Sequence, residues 1–167
     1  MKCDEASNLK KIIMKTFKIS LLLILTAMTM SYSQSSEEDQ VKQTIVDFFY
    51  AFHKQDTLAL KKMAVGNINM QSIAVTPEGK TRLDSNNYYG FINSIASIPK
   101  DKTFEEKLLG FKIRIDGRMA NAWTPYEFWF DGNFSHCGVN SFQLVKEEEK
   151  WKIIYLVDTR RRQGCLD

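Results

Sequence analysis

The sequence predicts an α+β fold, with helices and a small hairpin early in the chain and a sheet of long antiparallel strands at its end. Two observations carry this. Two Asp-Gly pairs, Asp116-Gly117 and Asp131-Gly132, interrupt alternating runs between Phe104 and Thr159; a two-residue type I′ turn needs positive φ at both central positions, and this dipeptide tolerates it. Before Pro99, two stretches carry apolar residues at intervals of three and four, the period of a helix buried on one face. The resulting order is helix, helix, hairpin, helix and then four strands, an α+β layout.

Residues 1–33 read as a targeting segment. Lys15 and Lys18 precede a mostly apolar run, Ile19 to Met30, and Ser31 and Ser33 are spaced as a cleavage site requires, so a cut is expected before Gln34. That run would span about 18 Å as a helix, short of the roughly 30 Å of bilayer hydrocarbon. The expected organisation is a signal peptide over 1–33, with Met14 an alternative start, and one domain over 34–167. The product is exported, periplasmic or secreted, with no stable membrane insertion after cleavage. Five of the 23 basic and two of the 20 acidic side chains fall in the leader, which leaves 18 of each sign. A neutral domain gives no electrostatic reason to bind nucleic acid or an anionic membrane. The cluster Arg160-Arg161-Arg162 reads as a solvated strand end. Cys137 and Cys165 remain after the leader, and geometry rather than count decides whether they bond.

Ser35 and Glu38 are spaced as a capping box for a first helix over Glu37–Lys54, whose stripe is Val41, Ile45, Phe48, Phe49 and Phe52. Asp56 caps a short second helix to Met63, carrying Leu58, Leu60 and Met63. A strand over Asn69–Val75, a turn at Thr76–Lys80 and a return to Leu83 form a small hairpin, because Pro77 presets φ and Gly79 permits the reversal. Asp84 or Ser85 caps a third helix with Tyr88, Phe91, Ile92 and Ile95, which Pro99 stops. Strands follow at Thr103–Ile115, Arg118–Phe130, Asn133–Lys146 and Lys150–Thr159. Such lengths exceed the usual five or six residues and imply a strongly bent sheet with bulges.

A two-residue turn at Asp131-Gly132 sets Glu127 opposite His136 and Trp123 opposite Asn140, so these four share a face. The other face holds Thr124, Tyr126, Phe128 and Phe130 and is more apolar; the sequence leaves open which face is concave. A carboxylate beside an imidazole raises the histidine pKa and fixes its tautomer, which makes Glu127 and His136 the candidate catalytic acid–base pair. The same two residues also serve simply as a cross-strand ion pair. Trp123, Tyr126, Trp129 and Asn140 are the candidate ligand contacts, and an aromatic cavity with a few amide and imidazole groups suits a flat or ring-shaped organic ligand. Asp158 and Arg160 alternate on one face of the last strand, at the rim of a pocket or as a surface pair. His53, near the end of the first helix, suits the helix dipole when protonated. His136 and Cys137 point to opposite faces of one strand, so no metal site is expected, and no cofactor.

The element order, the segment Ser135-His136-Cys137-Gly138-Val139-Asn140-Ser141-Phe142 and the segment Trp151-Lys152-Ile153-Ile154 together resemble the nuclear transport factor 2-like superfamily. Within it the chain is similar to small exported bacterial proteins described as lumazine-binding or polyketide-cyclase-like, over roughly Glu37 to Arg162. The resemblance implies a cone-shaped curved antiparallel sheet wrapped on three helices, a pocket between them, and a homodimer formed through the sheet. It does not imply one activity, because this superfold carries isomerases, dehydratases, cyclases and non-catalytic binders. The catalytic aspartate and tyrosine–aspartate pair of its ketosteroid isomerases are not matched by positions here. Three readings stay open: an exported protein binding a small organic molecule, an isomerase, dehydratase or cyclase using Glu127 and His136, and a dimeric interaction module without a ligand.

Overall fold

The computed structural model describes residues 36–165; the expected leader lies outside them. Helix α1 (Glu37–His53) is capped by Ser36 rather than Ser35. Its hydroxyl accepts the Asp39 N–H at 3.1 Å, while the Asp39 carboxylate accepts the Ser36 N–H at 3.3 Å, so the box is reciprocal but one residue later than its spacing suggested. The stripe Val41, Ile45, Phe48, Phe49 and Phe52 is buried as expected. Asp56 caps α2 (Thr57–Met63) by accepting the Ala59 N–H. Leu60 is in the core, whereas Leu58 faces solvent.

Strands β1 (Asn69–Val75) and β2 (Thr81–Asn87) form the hairpin. β2 runs past the expected caps because Asp84 and Ser85 stay paired with Ser72 and Gln71. Asn87 instead caps α3 (Tyr88–Ala96), its side chain accepting the Gly90 N–H at 2.8 Å. Tyr88, Ile92 and Ile95 of α3 are buried, and the Tyr88 hydroxyl donates to the Leu60 carbonyl at 2.7 Å.

The expected strand over Thr103–Ile115 is two: β3 (Phe104–Leu108) and β4 (Lys112–Asp116), parted around Gly110, and both pair with the same edge of β5 (Met119–Phe130). β6 (Asn133–Glu147) and β7 (Lys150–Arg160) complete a seven-stranded sheet of order β2-β1-β7-β6-β5-β3, with β4 also on β5. The sheet is mixed rather than wholly antiparallel, since β1 lies parallel to β7. No turn joins those two strands, so no local signal announces their pairing.

Two bulges bend it. One extra residue, Ser135, separates the pairs Trp129–Phe134 and Phe128–His136. Another, Ile154, separates Gln143–Tyr155 from Leu144–Ile153. Bulges raise local twist and bend the strand that carries them. The sheet thus curls over the helices, and the core forms where α1 meets Phe142, Leu144 and Ile153. At the far end Arg161 exchanges backbone hydrogen bonds with Cys137 at 2.8 and 2.9 Å, and Cys137 is disulfide-bonded to Cys165 with Cα atoms 5.8 Å apart. Among the described residues no helix is long and apolar enough to cross a membrane.

Candidate functional site

Between the concave face of the sheet and helices α1 and α3 lies a cavity of about 520 Å³. Its apolar walls are Phe48, Phe49 and Phe52 from α1, Phe91 and Ile95 from α3, and Phe128 and Leu156 from the sheet. Polar groups enter from five strands: Ser72 of β1, Asp84 of β2, Glu106 of β3, His136 and Asn140 of β6, and Asp158 and Arg160 of β7.

The Ser135 bulge decides which sequence candidates meet. The Asp131-Gly132 turn is the expected two-residue turn, with Phe130 opposite Asn133. Beyond the bulge the register moves by one, and a one-residue slip sends every side chain to the other face. His136 is therefore opposite Phe128, and Asn140 opposite Thr124. The expected pairs Glu127–His136 and Trp123–Asn140 do not form: Glu127 faces Cys137 and Trp123 faces Ser141. Glu127 lies on the convex side, where it accepts the Trp129 indole N–H at 3.0 Å. Trp129 also stacks under the Lys107 ammonium, 4.4 Å from ring centroid to Nζ. Trp123 is 45% exposed on the same side. His136 and Asn140 line the cavity, and Tyr126 is buried behind it. The face made of Thr124, Tyr126 and Phe128 is the concave one.

Glu106 takes the place beside these groups that sequence reasoning gave to Glu127. It sits opposite Phe128, which sits opposite His136, so the three occupy adjacent strands on one face. The signal was present: Phe104 and Leu108 flank Glu106 at a period of two, which puts a carboxyl on the apolar face of β3. Asn140 donates to Glu106 Oε1 at 2.6 Å. Burial pushes the Glu106 carboxyl up to about 8, against the opposing effect of that hydrogen bond. At neutral pH the group is mostly protonated and has an O–H to donate. The Glu106 backbone N–H donates to His53 Nε2 at 2.8 Å. That bond needs a lone pair on Nε2, and burial holds the His53 pKa below its ordinary value. His53 is thus a neutral tie between α1 and β3, not a protonated helix terminus.

His136 packs against Phe128 and Tyr126, with ring centroids 5.0 and 5.8 Å away. Burial first, and then the charge of Arg160, hold its pKa below the ordinary value, while Asp158 opposes. Burial thus favours the neutral form of both imidazole and carboxyl, one able to accept a proton and the other to give one.

A second polar group holds Arg160. One Asp158 oxygen is hydrogen-bonded by Ser72; the other lies 3.0 Å from the Tyr126 hydroxyl and 2.8 Å from Arg160 Nε. The Tyr126 hydroxyl is equally close to the Thr159 carbonyl. Gly138 makes this crossing possible, since a Cβ there would lie 1.7 Å from the Thr159 oxygen and 2.9 Å from the Tyr126 ring. Three donors thus reach the Asp158 carboxylate, Tyr126 sharing its one O–H with the Thr159 carbonyl, and the carboxylate holds Arg160 in place. Among the described residues no three His, Cys, Asp or Glu side chains gather as metal ligands.

No family model matches this sequence, and no curated protein does. Solved structures share its architecture. An NTF2-like protein from Cytophaga hutchinsonii aligns with a TM-score of 0.59 and 13% identity, over 76% of this chain and all of that one. An NTF2-like protein of unknown function from Shewanella baltica aligns at 0.53 and 15%, over 80% and 98% of the two chains. A candidate scytalone dehydratase from Novosphingobium aromaticivorans aligns at 0.59 and 11%, over 78% and 95%. At such identities the likeness is one of fold, and the fold of this chain is the NTF2-like α+β cone.

Proposed function

We propose that this is an exported protein whose cavity binds a small, ring-containing organic molecule, belonging with the lumazine-binding-like members of its fold. The observation that carries the binding function is the cavity itself. Its volume falls in the range of small-molecule sites, its walls are phenylalanines from two helices and the sheet, and its polar groups converge from five strands. A flat ring fits between such walls, while Glu106, Asn140 and His136 supply hydrogen bonds that orient it. Export rests on the character of residues 15–33. Assembly as a homodimer rests on the family resemblance and on the convex sheet face, where Trp123 is 45% exposed. Native mass spectrometry of the purified protein tests these together. The expected species begins at Gln34, is dimeric and retains a small molecule. A protein that carries none and takes up no aromatic probe contradicts the binding reading.

A second reading has its own observation. Glu106, an acid that burial keeps mostly protonated, and His136, a base that burial keeps toward its neutral form, line one cavity, an arrangement that suits an isomerase or dehydratase. His136 removes a proton from carbon next to a carbonyl, and Glu106 gives its proton to the oxygen that gains the charge. One fold neighbour is named as a candidate scytalone dehydratase, in keeping with this chemistry on this scaffold. Deuterium exchange at the α-carbon of 2-tetralone, followed by NMR in D₂O, tests it: the protein accelerates exchange and His136→Ala abolishes the acceleration. Equal rates with and without the imidazole refute it.

A further inference from the structure

We propose that the cavity selects organic acids, and that the guanidinium of Arg160 at its mouth is the receptor for their carboxylate. This rests on the binding function above and names the chemical class of the ligand. Among the described residues Arg160 uses only Nε, toward Asp158 at 2.8 Å. Among the described residues no group hydrogen-bonds its two Nη atoms. A guanidinium held at Nε presents its remaining N–H groups as a fixed fork, which matches the two oxygens of a carboxylate.

The fork is held from behind. Ser72 and Tyr126 hold Asp158, Asp158 holds Arg160, and Tyr126 is seated against the Thr159 carbonyl through the space left by Gly138. Little side-chain freedom is then lost when an anion arrives, which favours binding. The surrounding charges permit one. Asp158 is committed to its three donors, and Asp84 at the rim is paired with Arg82 at 2.8 Å. Glu106 is mostly protonated at neutral pH, and burial favours the uncharged form of His136. The Arg160 side chain is 53% exposed, so an incoming carboxylate keeps part of its hydration while its ring reaches the phenylalanines. A cationic ligand would meet this guanidinium, and a purely apolar one would leave the fork unused.

Calorimetric titration of the full chain at pH 7 with 2-naphthoate and with 2-naphthamide separates the possibilities. The two share a ring system and differ in charge. The naphthoate is expected to bind at least about ten-fold tighter, the lower end of what a charge-assisted pair contributes. Arg160→Met, which keeps the apolar stem, is expected to bring the two within about two-fold of each other by weakening only the acid. If the wild-type protein binds both equally, or prefers the amide, the acid-selective proposal is overturned while the pocket stands. If it binds neither, the pocket reading falls and this one with it. The wild-type comparison decides the matter even if Arg160→Met does not fold, because it needs no variant.

Discussion

Replacing Glu106 by glutamine isolates the titration on which the site's chemistry depends. The carboxyl is held at about 8 against an ordinary 4.5. A folded-state pKa raised in this way means that the native protein keeps a proton the unfolded chain has lost. The contribution to stability is complete below pH 4.5 and is lost as the pH rises through 8. Integrated, the loss is about 3 kcal/mol by pH 7 and between about 4 and 5 kcal/mol by pH 9. Glutamine has no proton to lose, and its carbonyl still accepts from Asn140. The unfolding free energy of Glu106→Gln, measured by urea denaturation with the disulfide intact, should therefore match wild type near pH 4.5 and exceed it increasingly above. Taking the difference between the two proteins at each pH cancels every other titrating group. A difference that stays flat within about 0.5 kcal/mol from pH 5 to 9, the scatter expected of an ordinary surface change, refutes the buried-acid assignment and with it the proton-transfer reading.

Three further outcomes follow from the same geometry. Gly138→Ala places a methyl group 1.7 Å from the Thr159 carbonyl, so β6 and β7 must part there; urea denaturation should show a loss of about 3 kcal/mol or more, and an unchanged midpoint contradicts the close approach. Cys165→Ser opens a covalent loop of sequence separation 28, which should lower stability by about 3 to 4 kcal/mol; a variant as stable as the wild type shows that the bridge does not form. Both His53 and His136 are held below the ordinary 6.5, so their contribution is full above that pH and falls as the solution is acidified through it; ring resonances followed by NMR should titrate below 6.5, and a midpoint at or above it contradicts the neutral tie between His53 and Glu106.

Most of the fold was legible because it is written in short-range signals. The stripe of α1, the Asp56 cap, the limits of β1 and the Asp131-Gly132 turn each depend on residues within a few positions of one another. Misplaced features depend on distant or single-residue effects. The parallel contact of β1 with β7 has no turn to announce it. The cap of α3 moved to Asn87 because cross-strand pairing outweighed the local preference of Asp84 and Ser85. The site suffered most from Ser135. One unpaired residue turned Glu127 and Trp123 outward while His136 and Asn140 stayed on the wall, and nothing in Phe134-Ser135-His136 distinguishes a bulge from a regular strand. Glu106 was accessible from its own strand's alternation, but its partners Asn140, on β6, and His53, on α1, are known only once the sheet closes over the helix. Arg160 was legible as half of a pair with Asp158; its unused Nη atoms were not.

The proposed binding function requires an aromatic guest to sit beneath the concave sheet. Isotope-filtered NOE spectroscopy of the protein with bound 2-naphthamide, a probe that does not depend on Arg160, observes this directly. Cross-peaks from the naphthyl ring to Phe52, Phe91 and Phe128 are the predicted result. Cross-peaks to Trp123 and Trp129 on the convex face would contradict it.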